Sequence, residues 1–215
     1  MLLTTLLAML LGVVQTPQAA DDDPNLFLDL GSEHCATEIA FAAFERTDED
    51  AAVTNVLPAY VTYSAFQFET AEQAEAALED APVLVAETFS DDPDIGDTET
   101  FDQIANEVQT EDYGDRTLGY AMTLPVDNEA LDNALTVELL GIVKHDQLVL
   151  ILLFSEAGPR RLSPTLTLDT VPPFAEDLDE DWDGTGDPEE AIPDEEGVPI
   201  GWERREVTID DPPSC

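Results

Sequence analysis

The chain has 215 residues, 49 of them acidic and 7 basic, for a formal net charge of −42 at pH 7. Nucleic acids and anionic membrane surfaces are held by basic residues that displace counterions, so both are excluded as partners. A hydrophobic fraction of 43% is that of an ordinary soluble domain, so one core of normal size is expected beside a leader and a tail.

Three physical readings of the acidity stand: solvation in a salty medium that screens self-repulsion, capture of a cation such as Ca²⁺, or an acidic face for a basic partner. Lys144 is the only lysine. A ligand site needs only a local cluster of acids, so this chain-wide depletion favours solvation.

Residues 1–20 read as a cleaved secretory signal peptide, with an apolar run from Leu2 to Val14 and a small pair, Ala19-Ala20, before Asp21. The run lacks a preceding basic residue, and Gln18 stands where a small residue is preferred. Export implies a secreted or cell-surface location. It also suits a disulfide between Cys35 and Cys215, which would close a long loop and contribute up to about 4–5 kcal/mol.

Residues 21–35 form an acidic lead-in. Ala36–Arg46 alternates as a strand, although its alanines also suit a short helix started by Ser32. Leu57–Phe68 is strand-like, with β-branched and aromatic residues from Tyr60 to Phe68. Thr70-Ala71-Glu72-Gln73 reads as a capping box opening a helix with Ala74, Ala77, Leu78 and Ala81 on its stripe. Pro82 is expected to break or kink it, with Asp80 capping a second short helix to Phe89. Ser90–Thr100 reads as a loop, Phe101–Val108 as a strand or short helix, Tyr113-Gly114-Asp115 as a turn and Arg116–Leu124 as a strand.

Ala134–Ser155 is the most apolar stretch past the leader. It is split by Lys144-His145-Asp146-Gln147 and reads as a β-hairpin turning on His145-Asp146. Its second arm is apolar on both faces from Leu148 to Phe154, which places that strand inside a sheet covered on both sides. Seven apolar residues are far fewer than the ~18–20 a membrane span requires.

From Ala175 the composition turns to acid, Pro and Gly, the mark of a tail, interrupted by Ile200–Ile209 as a possible edge strand with Trp202 over the core. Within it, Asp179, Asp181, Asp183, Thr185, Asp187 and Glu190 match the ligand spacing of a Ca²⁺ loop, with Gly184 at the sharp turn. Gly186 at an apolar position of that loop, Pro188 at the exit and non-helical flanks argue against it.

No catalytic residue is assigned. The histidines are His34 and His145, and no nucleophile-elbow or zinc-helix motif occurs. A Cys35–His145 couple competes with a more ordinary disulfide. Arg160-Arg161 and Arg204-Arg205 read as neutralising nearby carboxylates.

The series FQFETAEQAEAAL (Phe66–Leu78), YGDRTLGYAM (Tyr113–Met122) and LLGIVKHDQLVLILLF (Leu139–Phe154) resembles a group of exported bacterial proteins. It is similar to the extracytoplasmic sensor-like domains of bacterial Ser/Thr kinases. The resemblance implies an α+β fold and no catalytic residues. His145-Asp146 departs from it, since that group has a Gly-containing turn there.

The expected fold is α+β over residues 36–174: an antiparallel sheet of about five strands with the Ala71–Phe89 helical segment on one face, followed by an acidic tail over 175–215. The expected function is a non-catalytic binding or interaction module for a protein or small molecule outside the cell. The alternatives are a Ca²⁺-binding protein using residues 179–190 and, behind it, a hydrolase.

Overall fold

A computed structural model describes residues 25–46, 60–88, 101, 105–125, 134–157, 175, 178, 182–194 and 202–205. The leader, the loop at 90–100, the basic pair 160–161, Asp179, Asp181 and Cys215 lie outside the described residues.

The apolar arm after His145-Asp146 forms β6, Gln147–Ala157, and its partner is β5, Ala134–Lys144. They pair antiparallel with Lys144 opposite Gln147, so the turn is the two-residue one the sequence indicates. His145 takes φ 56 there. Positive φ at the first central residue alone is the type II′ signature, a position that favours glycine.

On the far side of β6 lies β2, Tyr60–Gln67, followed by β1, Glu38–Arg46, and β7, Trp202–Arg205. Beyond β5 come β4, Arg116–Pro125, and β3, Ala105–Val108. All pairings are antiparallel, and the order β3-β4-β5-β6-β2-β1-β7 puts β6 fourth of seven. Leu148 to Leu153 are each no more than 2% exposed, as a strand apolar on both faces requires. Among the described residues the sheet thus has seven strands, not about five. Two short edge strands, β3 and β7, account for the excess.

Helix α1, Asn25–Glu33, precedes β1, so the strand expected over Ala36–Arg46 begins at Glu38 and the helix falls within the lead-in. Helix α2 runs unbroken from Ala71 to Thr88 with Pro82 inside. A proline in a helix interior costs about 3 kcal/mol. Burial of Ala81, Val85 and Ala86 on the stripe shared with Ala74, Ala77 and Leu78 opposes that cost, so no second helix starts at Asp80. At its start the Gln73 amide donates to Thr70 Oγ1 (3.3 Å) and the Thr70 hydroxyl donates to Gln73 Oε1 (3.1 Å). The Gln73 side-chain amide bonds to the His34 carbonyl (3.4 Å) instead of closing a full capping box.

Each face of the sheet carries a core. On the helix side, Leu30, Phe66, Leu78, Leu139, Leu148, Leu150 and Leu152 pack together. On the other, Phe44, Tyr63, Leu140, Val149, Ile151 and Leu153 pack with Ala175, Leu178, Trp182 and Ala191. Those last four belong to the stretch expected as a tail. Helix α2 covers one face, and the described part of residues 175–192 is a strap over the other, because β6 has an apolar row on both sides. No described helix is long and apolar enough to cross a membrane.

Candidate functional site

The strap meets the sheet at the turn end of the β5–β6 hairpin. Lys144, Gln147 and Gln67 stand in one cross-strand row, since Gln147 pairs with Lys144 on one side and Gln67 on the other. Gln147 is 1% exposed. Its Oε1 accepts from Trp182 Nε1 (2.7 Å), and its Nε2 donates to Gln67 Oε1 (2.8 Å) and to the Gly186 carbonyl (2.9 Å). Gln67 Nε2 donates in turn to the Phe68 carbonyl at 2.8 Å. A buried amide is tolerated only when its groups are paired, and here the strap supplies the pairing.

The single lysine completes the anchorage. Lys144 Nζ donates to the Trp182 carbonyl (2.5 Å) and lies 5.7 Å from the centroid of the Trp182 ring, in cation–π range. Gly184 follows at φ +76 with its Cα pressed on the hairpin; a Cβ there would come within 2.7 Å of the Lys144 carbonyl oxygen. Only glycine meets both the backbone angle and the clearance.

The outward side of the loop is acidic. Asp183 Oδ1 accepts from the Thr185 amide (2.8 Å) and hydroxyl (2.7 Å). Those two bonds hold its carboxyl below the usual carboxylate range. Asp187 caps the 3-10 turn Pro188–Ala191 by accepting from the Glu189 amide at 2.9 Å. Asp183, Asp187, Glu189 and Glu190 are exposed while Trp182, Pro188 and Ala191 are buried beneath them.

Of the six residues with Ca²⁺-loop spacing, Asp183, Thr185, Asp187 and Glu190 are therefore on this loop, and Asp179 and Asp181 lie outside the described residues. No group of three or more His, Cys, Asp or Glu side chains gathers to hold a metal among the described residues. His34 Nε2 lies 3.1 Å from Asp80 Oδ2 without hydrogen-bond alignment. His145 donates its backbone N–H to Asp115 Oδ2 (2.8 Å), with its ring Nδ1 3.7 Å from the same oxygen. Cys35 is not a free thiol. Arg205 pairs with Glu45 at 3.8 Å, the neutralising role expected of that cluster.

Sequence reasoning placed Lys144 and Gln147 at the hairpin turn without giving them a role, and gave none to Gln67 or Trp182. One signal was legible. Glutamine ends two strand rows that are otherwise apolar, Val61-Tyr63-Ala65-Gln67 and Gln147-Val149-Ile151-Leu153, and a polar group there requires a partner.

No protein-family model matches the chain, and no curated protein or solved structure matches it.

Proposed function

We propose that the protein is an exported, non-catalytic interaction module that presents a fixed acidic surface, centred on Asp183, Asp187, Glu189 and Glu190, to a basic protein partner outside the cell. The observation that supports this reading is the division of labour in the strap. Trp182 and the backbone of residues 182–186 bind the sheet, leaving those carboxylates outward on an ordered support. A pre-ordered charged face loses less conformational freedom on binding than a loose acidic tail. Its charge also steers encounter with a basic partner.

A lysine homopolymer of about ten residues is the probe for the test. Its affinity falls steeply with added salt. It drops at least about tenfold at low salt in the variant carrying Asp183→Asn, Asp187→Asn, Glu189→Gln and Glu190→Gln. The control neutralises four exposed acids elsewhere, Glu69, Glu72, Glu87 and Glu107. Equal losses in both variants reduce the acidity to general solvation and defeat the proposal.

Calcium is the second reading, favoured by the placing of Asp183, Thr185, Asp187 and Glu190 on one loop. On this reading Ca²⁺ raises the melting temperature beyond NaCl of matched ionic strength, and Asp181→Ala with Asp183→Ala removes the difference. An equal shift from the two salts refutes it.

A further inference from the structure

We infer that the protein holds a small-molecule site on the helix-facing side of β2, where the Ser64 and Thr62 hydroxyls bind the polar end of a neutral, mainly apolar compound. The site is separate from the acidic surface and does not depend on the reading of that surface.

Strand β2 alternates, so Val61, Tyr63 and Ala65 join the strap-side core while Thr62 and Ser64 share the helix-facing side with Phe66. Ser64 is 0% and Thr62 7% exposed, and neither Ser64 Oγ nor Thr62 Oγ1 has a hydrogen-bond partner. The backbone around them is already committed, because β1 and β6 pair with β2 on its two sides. A buried hydroxyl without a partner destabilises a fold. Two of them, on one face of one strand, point to a polar group that completes both.

The surroundings are apolar and small. In cross-strand register Ser64 lies between Phe41 of β1 and Leu150 of β6, and Thr62 between Ala43 and Leu152. Helix α2 is placed off centre above this row. Its Leu78 sits against Gly141 of β5. Glu75 and Glu79 turn to Arg116 of β4, and Asp80 turns the other way, to His34 at the end of α1. The flank opposite β4 is the one nearest β2, and the helical period puts the buried Ala77 and Ala81 on it. Small side chains thus meet from both sides, with the two unpaired hydroxyls aimed between them.

The lining sets the class of ligand. At this level the helix-facing rows of β1, β2 and β6 carry no charged side chain, and Asp80 is exposed and turned to His34. A charged ligand would be buried without a counter-charge, and an anion would also be opposed by the net charge of −42. A hydroxyl both donates and accepts, so an alcohol or a carbonyl group suits Ser64 and Thr62 equally. The apolar body of the compound rests on Leu150, Leu152 and the α2 alanines.

Hexanol is the probe, with hexane as its apolar counterpart, titrated into the full chain and followed by NMR. Hexanol is expected to saturate and to give NOE contacts with the Thr62, Leu150 and Leu152 methyl groups. Thr62→Val with Ser64→Ala removes both hydroxyls. That variant is expected to bind hexanol at least about fivefold more weakly and hexane no more weakly than wild type. Without ligand it melts higher than wild type, since it buries no unpaired hydroxyl. Its loss of hexanol is therefore distinct from a failure to fold. Hexanol binding that does not saturate, contacts confined to other parts of the molecule, or equal hexanol affinity in the two proteins overturns the inference. A lower melting temperature in the variant overturns it too, by showing that the hydroxyls are already paired. So does ordered water that keeps its contacts with Thr62 and Ser64 at saturating hexanol, because the hydroxyls then serve water alone.

Discussion

A glutamine at the start of the most apolar strand in the chain has four hydrogen-bonding capacities to satisfy away from water. Gln147 uses three of them on Trp182, Gln67 and the Gly186 carbonyl. The loop that brings two of those partners depends on Gly184. Gly184→Ala sets a methyl group against a backbone carbonyl and forces a left-handed alanine, so a loss of about 2–4 kcal/mol is expected in urea unfolding. Gly186→Ala, whose nearest neighbour is the movable end of Glu190, loses only about 1 kcal/mol. At the hairpin turn the sign reverses. His145→Gly keeps the backbone bond to Asp115 and removes the positive-φ strain, so the urea midpoint rises by the equivalent of about 0.5–1 kcal/mol. Asp183 adds a pH dependence. Its carboxyl is held below the usual range by Thr185, so its contribution is present above the unfolded value of about 3.9 and disappears as pH falls through the lowered folded value. Wild type exceeds Asp183→Asn at pH 7 in 1 M NaCl, and the two converge in acid. A difference that does not shrink as pH falls below the unfolded value contradicts this account.

Among the elements, the strap is the one whose attachment differs from its appearance in sequence. Its polar anchors on the sheet are the Trp182 indole and carbonyl and the Gly186 carbonyl, and its 3-10 turn lies on β1 and β2. Removing one partner of a buried hydrogen bond leaves the other unsatisfied, which costs about 1–3 kcal/mol. Trp182→Phe is expected to lose that much by orphaning Gln147 Oε1, and Gln147→Leu a similar amount by orphaning Trp182 Nε1. The double variant is expected to lose less than the two singles added, with a coupling of about 1 kcal/mol in a double-mutant cycle. Strict additivity would mean that the indole contributes by packing alone. Helix α2 illustrates the opposite case. Its start at Thr70 and its stripe were legible, while its passage through Pro82 was not. The local rule stops a helix at proline, and the burial of Val85 and Ala86 that opposes the rule exists only on the assembled sheet.

For the whole molecule, charge governs behaviour that no single contact does. Three of the described cations are placed at seams: Arg116 of β4 bonds Glu79 of α2 at 2.8 Å, Lys144 holds the strap, and Arg205 joins β7 to Glu45 of β1. Screening of the remaining repulsion raises the melting temperature between 0.01 M and 0.1 M NaCl, as the Debye length falls from about 30 Å to about 10 Å. A melting temperature that does not respond to salt would show that the carboxylates are too dispersed to repel. The hairpin, its two-residue turn and the central place of Leu148–Phe154 were determined by the amino-acid order alone, because strand periodicity is local and a strand apolar on both sides has one stable position. Which segment covers the second face was decided only in three dimensions. Ala175, Leu178 and Trp182 recur at helical i, i+3, i+7 spacing, and the Trp182 amide donates to the Leu178 carbonyl, but three apolar residues among acid, Pro and Gly are too short a stripe to stand out. Their partners lie on strands distant in the chain, so the stretch reads as a tail until the sheet exists to receive it.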